Sequence, residues 1–507
     1  SARLTLLYAG EKLEFDAEEQ IEVTSPKDTG ILFYKGVPLP IYGTSISFAE
    51  KGTAILSDAE RRPAITNLHR GQNSVVKRIG YSLFSEIATL LTAGQPAAYA
   101  GAPTLDLHIA LLREMIVACG ITLAEVPPIP TGHPFIACLT HDVDHPSVRE
   151  HRWDHTMFGF LYRAVFGSVG QLIRGRIQFN DLITNWAAAF KLPFVYMGVA
   201  NDFWCGFEDR YLQLEKGLGS TFFVIPFKNY AGKDTQGLAP RKRASRYQAR
   251  DIANAIRKIV EAGCEVGLHG IDAWLDSPRA YDELQEIRNL TGSSKIGVRM
   301  HWLYYGNQSP MALEQAGAAY DSSVGYRETV GYRAGTTQAF KPPEVERLLE
   351  LPMHVMDTAL FYPDYLGLSP RKAGERLGAM VDHAARMGGC LTINWHDRSL
   401  APERLWDGCY RDLIQDFKSR NVWFATAGQA ISWFQKRRSV VFEMENGESD
   451  AVFARVTGHH DAGAPGLRLR VHRPREPFQI APSGSETYVD IAFDENLDAR
   501  VPVGVSA

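Results

Sequence analysis

The chain has 507 residues, of which 45% are hydrophobic and 22% charged, and its formal net charge is −4. That length exceeds one ordinary hydrophobic core, so more than one domain is expected. The charge balance excludes a nucleic-acid binder, which needs a basic face, and no apolar run reaches the ~18 residues of a spanning helix.

Six cysteines, at positions 119, 138, 205, 264, 390 and 409, are scattered singly without zinc-finger spacing. Cys138, Cys264 and Cys390 sit in or beside apolar strand-like runs, so buried free thiols are expected. That favours a reducing, cytoplasmic compartment; a secreted or periplasmic one stays open if a leader has been removed ahead of Ser1. Composition leaves the oligomeric state open.

Residues 1–130 mix short strand-like runs with one helical stretch, "LDLHIALLREMIVACG" (105–120), and read as an accessory α/β domain. The proline-rich linker "VPPIPTGHP" (126–134) breaks regular structure and marks a boundary. Residues 155–179 are aromatic and basic, the composition of a core-packed helix pair or of a helix touching a membrane surface. From 131 to 438, apolar strand-like runs alternate with helical stretches, several ending at Gly just before the next strand. Continuously apolar strands alternating with helices predict a parallel sheet covered on both faces. Six or more such units predict a barrel with its chemistry at the C-terminal strand ends. From 439 to 507 the texture changes to short alternating runs between Gly, Asn, Asp and Pro, which predicts a small antiparallel β module. His459 and His460 in that module read as a solvated loop.

The barrel strands end on a recurring polar tip. "FIACLTHDVDH" ends on His141, Asp142, Asp144 and His145; "CEVGLHGIDAW" on His269 and Asp272; "KIGVRMHW" on Arg299 and His301. "AAYDSS" ends on Asp321, "LELPMHVMD" on His354 and Asp357, and "LTINWHDR" on His396, Asp397 and Arg398. Such tips converging on one rim predict a single polar site. Imidazole and carboxylate together suit a divalent metal: zinc, with cobalt or nickel as alternatives. A metal there acidifies a bound water and polarises a carbonyl, while a second carboxylate serves as base and a histidine as acid. Asp142 and Asp144, two apart on a strand, share a face, so one can bind metal while the other takes a proton. His141 points to the opposite face.

"LTHDVDH", "EVGLHG", "GVRMHW", "YDSS" and "LTINWHD" resemble the five ordered motifs of the polysaccharide deacetylases, the NodB-type domains of carbohydrate esterase family 4. The resemblance covers roughly 135–436, and "AGAAYDSSVGYRETVGYRAGT" (316–336) is similar to the same group. It implies a distorted (β/α) barrel and a metal-dependent hydrolase removing acetyl groups from a glycan substrate. It also implies roles: Asp142 as general base, Asp144 and His269 as metal ligands, Arg299 as the partner of Asp142, and His396 as the acid. One position departs from the family. Ala273 stands where a second imidazole ligand is expected. His301 fills the gap best, with Asp272 and His354 as alternatives. Asp357 and Asp397 both qualify to orient His396. Trp274, Trp302 and Trp395 qualify as sugar-stacking walls, and Arg333 as a partner of Asp321 or of an anionic sugar. Two other functions stay open: an allantoinase-like C–N amide hydrolase, and a catalytically inactive glycan-binding protein.

Overall fold

A computed structural model describes residues 17–21, 30–42, 45–70, 74–444, 451–458, 463–473, 488–494 and 498–502. His459 and His460 lie outside these residues. Backbone packing divides the chain into two units, one of 133–330 with 338–431 and one of 1–132 with 331–337 and 432–507.

The larger unit is built on a parallel sheet. Its strands are β1 (Ile136–Val143), β2 (Ser220–Val224), β3 (Glu265–Gly270), β4 (Val298–Met300), β5 (Val355–Met356), β6 (Cys390–Asn394) and β7 (Trp423–Phe424). The order is β4-β3-β2-β1-β6-β5, with β7 pairing the start of β1. All eight positions of β1 are buried, as expected of a strand covered on both faces. Parallel register brings the strand ends to one edge: Asp142 lies opposite Phe223, and His269 opposite Arg299.

Beyond β4 the ladder thins to single bridges, Val298 to Asp321 and Asp321 to Glu350. The sheet is thus a curled half-barrel rather than a ring of full strands. The strand-like runs at 318–323 and 348–355 shrink for a physical reason. Ser322 and Ser323 spend their hydroxyls on Leu351 O and on the Asp321 carboxylate, and Pro352 has no N–H for a ladder. Gly297, entering β4, meets the Tyr320 ring so closely that a Cβ there would stand 1.9 Å from Tyr320 Cζ.

Helices cover the sheet where the sequence punctuation places them. The helix Ser277–Thr291 starts with Asp276 accepting from Arg279 N, carries Pro278 in its first turn and ends at Gly292 with φ 69°. The helix Pro370–Met387 is capped by Ser369 and followed by Gly388. Their apolar faces bury Leu284, Ile287, Leu377 and Val381. All six cysteines are free.

The smaller unit holds a five-stranded antiparallel sheet ordered 37–41, 30–34, 53–57, 63–70 and 74–79. Leu32, Leu39, Ile41, Ile65, Leu111 and Met115 form its core together with the helix Thr104–Val117. The accessory region and the C-terminal strands belong to this one unit, because Leu123–Glu125 pairs antiparallel with Arg468–His472. Glu125 ties the pairing by accepting from His472 Nε2 at 2.9 Å. Among the described residues no helix is long and apolar enough to cross a membrane.

Candidate active site

At the end of β1 the side chains alternate. His141 turns away from the rim: its Nδ1 donates to Trp395 O at 2.8 Å and its Nε2 meets Glu215 at 3.1 Å. The Tyr211 and Phe222 rings flank it at 3.9 and 4.6 Å. Thr140, Asp142 and Asp144 take the other face, as a period of two requires.

Arg299, fully buried at the end of β4, organises the first carboxylate. It donates to Thr140 Oγ1 at 2.6 Å, to Ser322 O at 3.1 Å and Oγ at 2.8 Å, and to Asp142 Oδ1 at 3.2 Å. Asn394 Nδ2 donates to the other oxygen, Asp142 Oδ2, at 2.7 Å. The sequence reading passed over Asn394. The signal was present, since it precedes His396 by two positions at the end of β6.

Asp144, His269 and His301 bring one donor atom each to a common point, all within 4.8 Å of one another. His269 Nδ1 lies 3.0 Å from Arg299 O, so it carries the proton and leaves Nε2 with a lone pair. His301 Nε2 lies 3.1 Å from Arg243 O, which leaves Nδ1 with a lone pair. These two lone-pair nitrogens face each other at 3.1 Å, and each is 3.4 Å from Asp144 Oδ1. That oxygen is buried and receives no hydrogen bond. Burial pushes His301 down to about 4, which keeps it neutral. Burial opposes the charge on Asp144, but the neighbouring His396 imidazolium helps hold the carboxyl well below its usual range. Two imidazoles, each held by a backbone carbonyl, and a carboxylate with an open oxygen fit a divalent cation.

The alternatives for the third donor are occupied elsewhere. Asp272 accepts from Lys233 N at 2.8 Å and from the Tyr230 hydroxyl, and its own N–H donates to Glu283 at 2.7 Å. It clamps a loop. His354 Nδ1 accepts from Thr392 N at 3.2 Å. Ala273 is fully buried.

His396 faces the trio, with Nε2 3.8 Å from Asp144 Oδ2. Its Nδ1 donates to Asp357 Oδ1 at 2.6 Å, and its backbone N–H to Asp357 Oδ2 at 2.7 Å. Burial disfavours the imidazolium, yet the carboxylates of Asp357, Asp144 and Asp142 outweigh it and raise His396 to about 10. Asp397 does a different task, accepting from His145 N at 2.8 Å.

Asp142, Asp144, His269, His301 and His396 line a pocket of about 370 Å³. Of the three tryptophans beside the motifs, Trp302 lines it, while Trp274 and Trp395 are packed inside at 3% and 0% exposure. Trp302 and Leu303 follow His301 in the left-handed region, at φ 62° and 52°, a conformation that costs energy for a branched or aromatic residue. Arg333 donates to Ala93 O and Gln95 O, and Asp321 accepts from Ser323.

No family model and no curated protein matches the chain. Among solved structures it is similar to a probable polysaccharide deacetylase from Pseudomonas aeruginosa PAO1, at 15% identity and TM-score 0.38, over 60% of this chain and 92% of that one. It is similar to the Puue allantoinase at 15% identity and TM-score 0.37, over 60% and 92%. It is also similar to the Xyl-CE4 domain of a multidomain xylanase from the hindgut metagenome of Trinervitermes trinervoides, at 12% identity and TM-score 0.27, over 59% and 90%. Polysaccharide deacetylases, the family that the five motifs resemble, thus stand among the solved structures similar to this chain.

Proposed function

We propose that the protein is a metal-dependent deacetylase that hydrolyses the acetamide of a glycan or glycan precursor. One observation carries the reading. A carboxylate and two tautomer-locked imidazoles share a point beside a second, Arg-paired carboxylate and an Asp-held histidine. A divalent metal held by Asp144, His269 and His301, zinc or else cobalt or nickel, supplies Lewis acidity and acidifies water.

The protein's own groups account for the protons. Asp142, with one oxygen on Arg299 and the other on Asn394, is oriented to take the proton of the attacking water. Attack on the acetamide carbon forms the new C–O bond, and the C–N bond then breaks. His396, protonated through neutral pH, donates from Nε2 to the departing amine while Asp357 holds Nδ1. The carboxyl of Asp142 and the neutral imidazole of His396 return to their starting states by proton exchange with water. His301 supplies the imidazole missing at Ala273, which supports an enzyme over an inactive glycan-binding protein.

The pocket volume, about 370 Å³, sits near the lower end of small-molecule sites. It favours a substrate of one or two sugar units over a long polymer threaded through a groove. The same observation also keeps a second reading in view, a small-molecule C–N amide hydrolase of the allantoinase kind acting through the same residues.

Acetate release tests the proposal. Metal-loaded protein is incubated with N-acetylglucosamine, its short oligomers and N-acetylated sugar phosphates. Acetate from the wild type and none from Asp142→Asn supports it. Equal acetate from both, or none from a wild type carrying stoichiometric metal, overturns it.

A further inference from the structure

Part of the pocket lining is basic. Arg163, Arg398 and Arg404 all line it, together with Tyr362. Arg398 and Arg404 are only 5% and 8% exposed. Their guanidinium faces are used: Arg398 lies over Trp204 at 4.4 Å, and Arg404 over Trp406 at 4.9 Å. Their N–H edges are used only in part: Arg404 Nη1 donates to Ser399 Oγ at 3.4 Å. Arg398 Nε and Nη1, Arg404 Nε and Arg163 Nε are buried without a hydrogen-bond partner. Arg404 Nη2 donates to the Tyr362 hydroxyl at 2.6 Å.

The acids nearby are engaged with other donors. Asp397 accepts from the backbone N–H of His145 and Arg398, Asp357 holds His396 and Ser399, and Glu403 accepts from Trp204 Nε1 with Oε2 at 3.2 Å while its Oε1 meets no donor. Among the described residues none of them forms an ion pair with the three arginines. Burial opposes ionisation of the Tyr362 phenol, yet Arg404, Arg398 and Arg163 together hold it below its ordinary range, so all three charges reach one place.

Buried guanidinium groups with open N–H edges are costly unless an anion meets them. Planar paired donors match phosphate and carboxylate oxygens. We propose that the substrate carries an anionic group, phosphate or carboxylate, which Arg398, Arg404 and Arg163 bind while its amide lies at Asp144, His269 and His301. This rests on the amide-hydrolase reading and narrows its substrate class.

Calorimetry on the full chain tests it by binding alone, so a failure to release acetate leaves the result readable. The probes are N-acetylglucosamine, N-acetylglucosamine 1-phosphate and N-acetylmuramic acid, each with metal-loaded protein and with protein stripped by a chelator. At least one anionic probe is expected to bind about tenfold or more tighter than the neutral sugar, with or without metal. The tighter of the two identifies the anion. Arg398→Gln and Arg163→Gln should each abolish most of that preference. Arg163 is half-buried, so its variant decides the matter if Arg398→Gln does not fold. Equal affinities for neutral and anionic sugars, or a preference that survives Arg163→Gln, overturn the proposal.

A different observation carries a second inference. The helix Phe179–Tyr196 buries Leu182, Ala188, Leu192 and Val195 on one side. On the other it exposes Phe179, Ile183, Trp186, Phe190 and Phe194 at 64, 51, 49, 73 and 39%. A helix apolar on both sides needs a cover on both. The preceding helical stretch exposes Phe158, Tyr162, Phe166 and Ile173 in the same manner. In a chain of net charge −4, residues 155–199 carry, apart from the pocket-lining Arg163, the cations Arg174, Arg176 and Lys191 against the single acid Asp181. Aromatic residues with interspersed cations suit an anionic lipid surface. We infer that this face lies on one. In flotation, the full chain should rise with phosphatidylcholine vesicles containing phosphatidylglycerol and not with pure phosphatidylcholine, and Trp186→Glu/Phe190→Glu should remove binding with an unchanged circular dichroism spectrum. Failure to float with either vesicle overturns the inference. If the protein is then a dimer that the same variant dissociates, a second copy is the cover.

Discussion

His269 Nε2 and His301 Nδ1 face each other at 3.1 Å, and neither carries the proton that a hydrogen bond between them would need. Their protons are committed to the carbonyls of Arg299 and Arg243. Two lone pairs and the open Asp144 Oδ1 repel one another unless a cation lies between them. His301→Ala should therefore weaken metal binding more than about 100-fold, beyond the loss typical of a group that only supports a ligand. Asp272→Asn should leave metal stoichiometry unchanged. Elemental analysis of purified proteins separates the two, and equal metal in all three would sink the assignment.

Asp142 touches no lone-pair nitrogen of the trio closer than 3.9 Å. Replacing it by Asn should preserve metal content while lowering kcat about 10²–10⁴-fold, the range of a lost general base. Loss of metal in Asp142→Asn would instead make this residue a ligand.

The pH profile reports on Asp357. His396 sits at about 10 because the carboxylates around it, with Asp357 foremost, outweigh burial. The reaction needs the protonated form, so activity persists through neutral pH and falls as pH rises through that value. Asp357→Asn removes the raising charge. The alkaline limb of kcat/KM should then move down toward the ordinary histidine value of 6.5. An unmoved limb would mean that another group supplies the proton.

Arg299 is fully buried and pairs with Asp142. Arg299→Ala should cost about 3–5 kcal/mol in urea denaturation, because it strands a buried carboxylate. Adding Asp142→Asn should recover part of the loss, since the two side chains interact and their effects do not add. Full additivity would show that Arg299 acts through Thr140 and Ser322 alone.

Much of the larger unit was legible locally. Apolar stems with charged tips announced β1, β3, β4 and β6, and Gly292 and Gly388 mark helix ends as read. Legibility failed where long-range packing overrides local pattern. The runs around Asp321 and Glu350 have strand composition, yet their polar side chains serve Arg299 and its neighbours, and only single bridges form. The choice between Asp357 and Asp397 depended on where a two-residue strand ends, which no periodicity reports. Trp302 and Trp395 look alike beside their motifs; only packing shows one at the pocket and the other sealed inside. The pairing of 123–125 with 468–472 joins segments at opposite ends of the chain and has no local signature.

The donors Asp144, His269 and His301 lie at the ends of three different parallel strands, β1, β3 and β4, and β1 reaches β3 only through β2. No short segment of this chain holds two of them. Only the finished sheet brings these three donors to one point. A metal that binds this assembled trio more tightly than the unfolded chain would stabilise the fold by an amount that grows with its concentration. Metal supply would then set how long the protein survives, as well as whether it works.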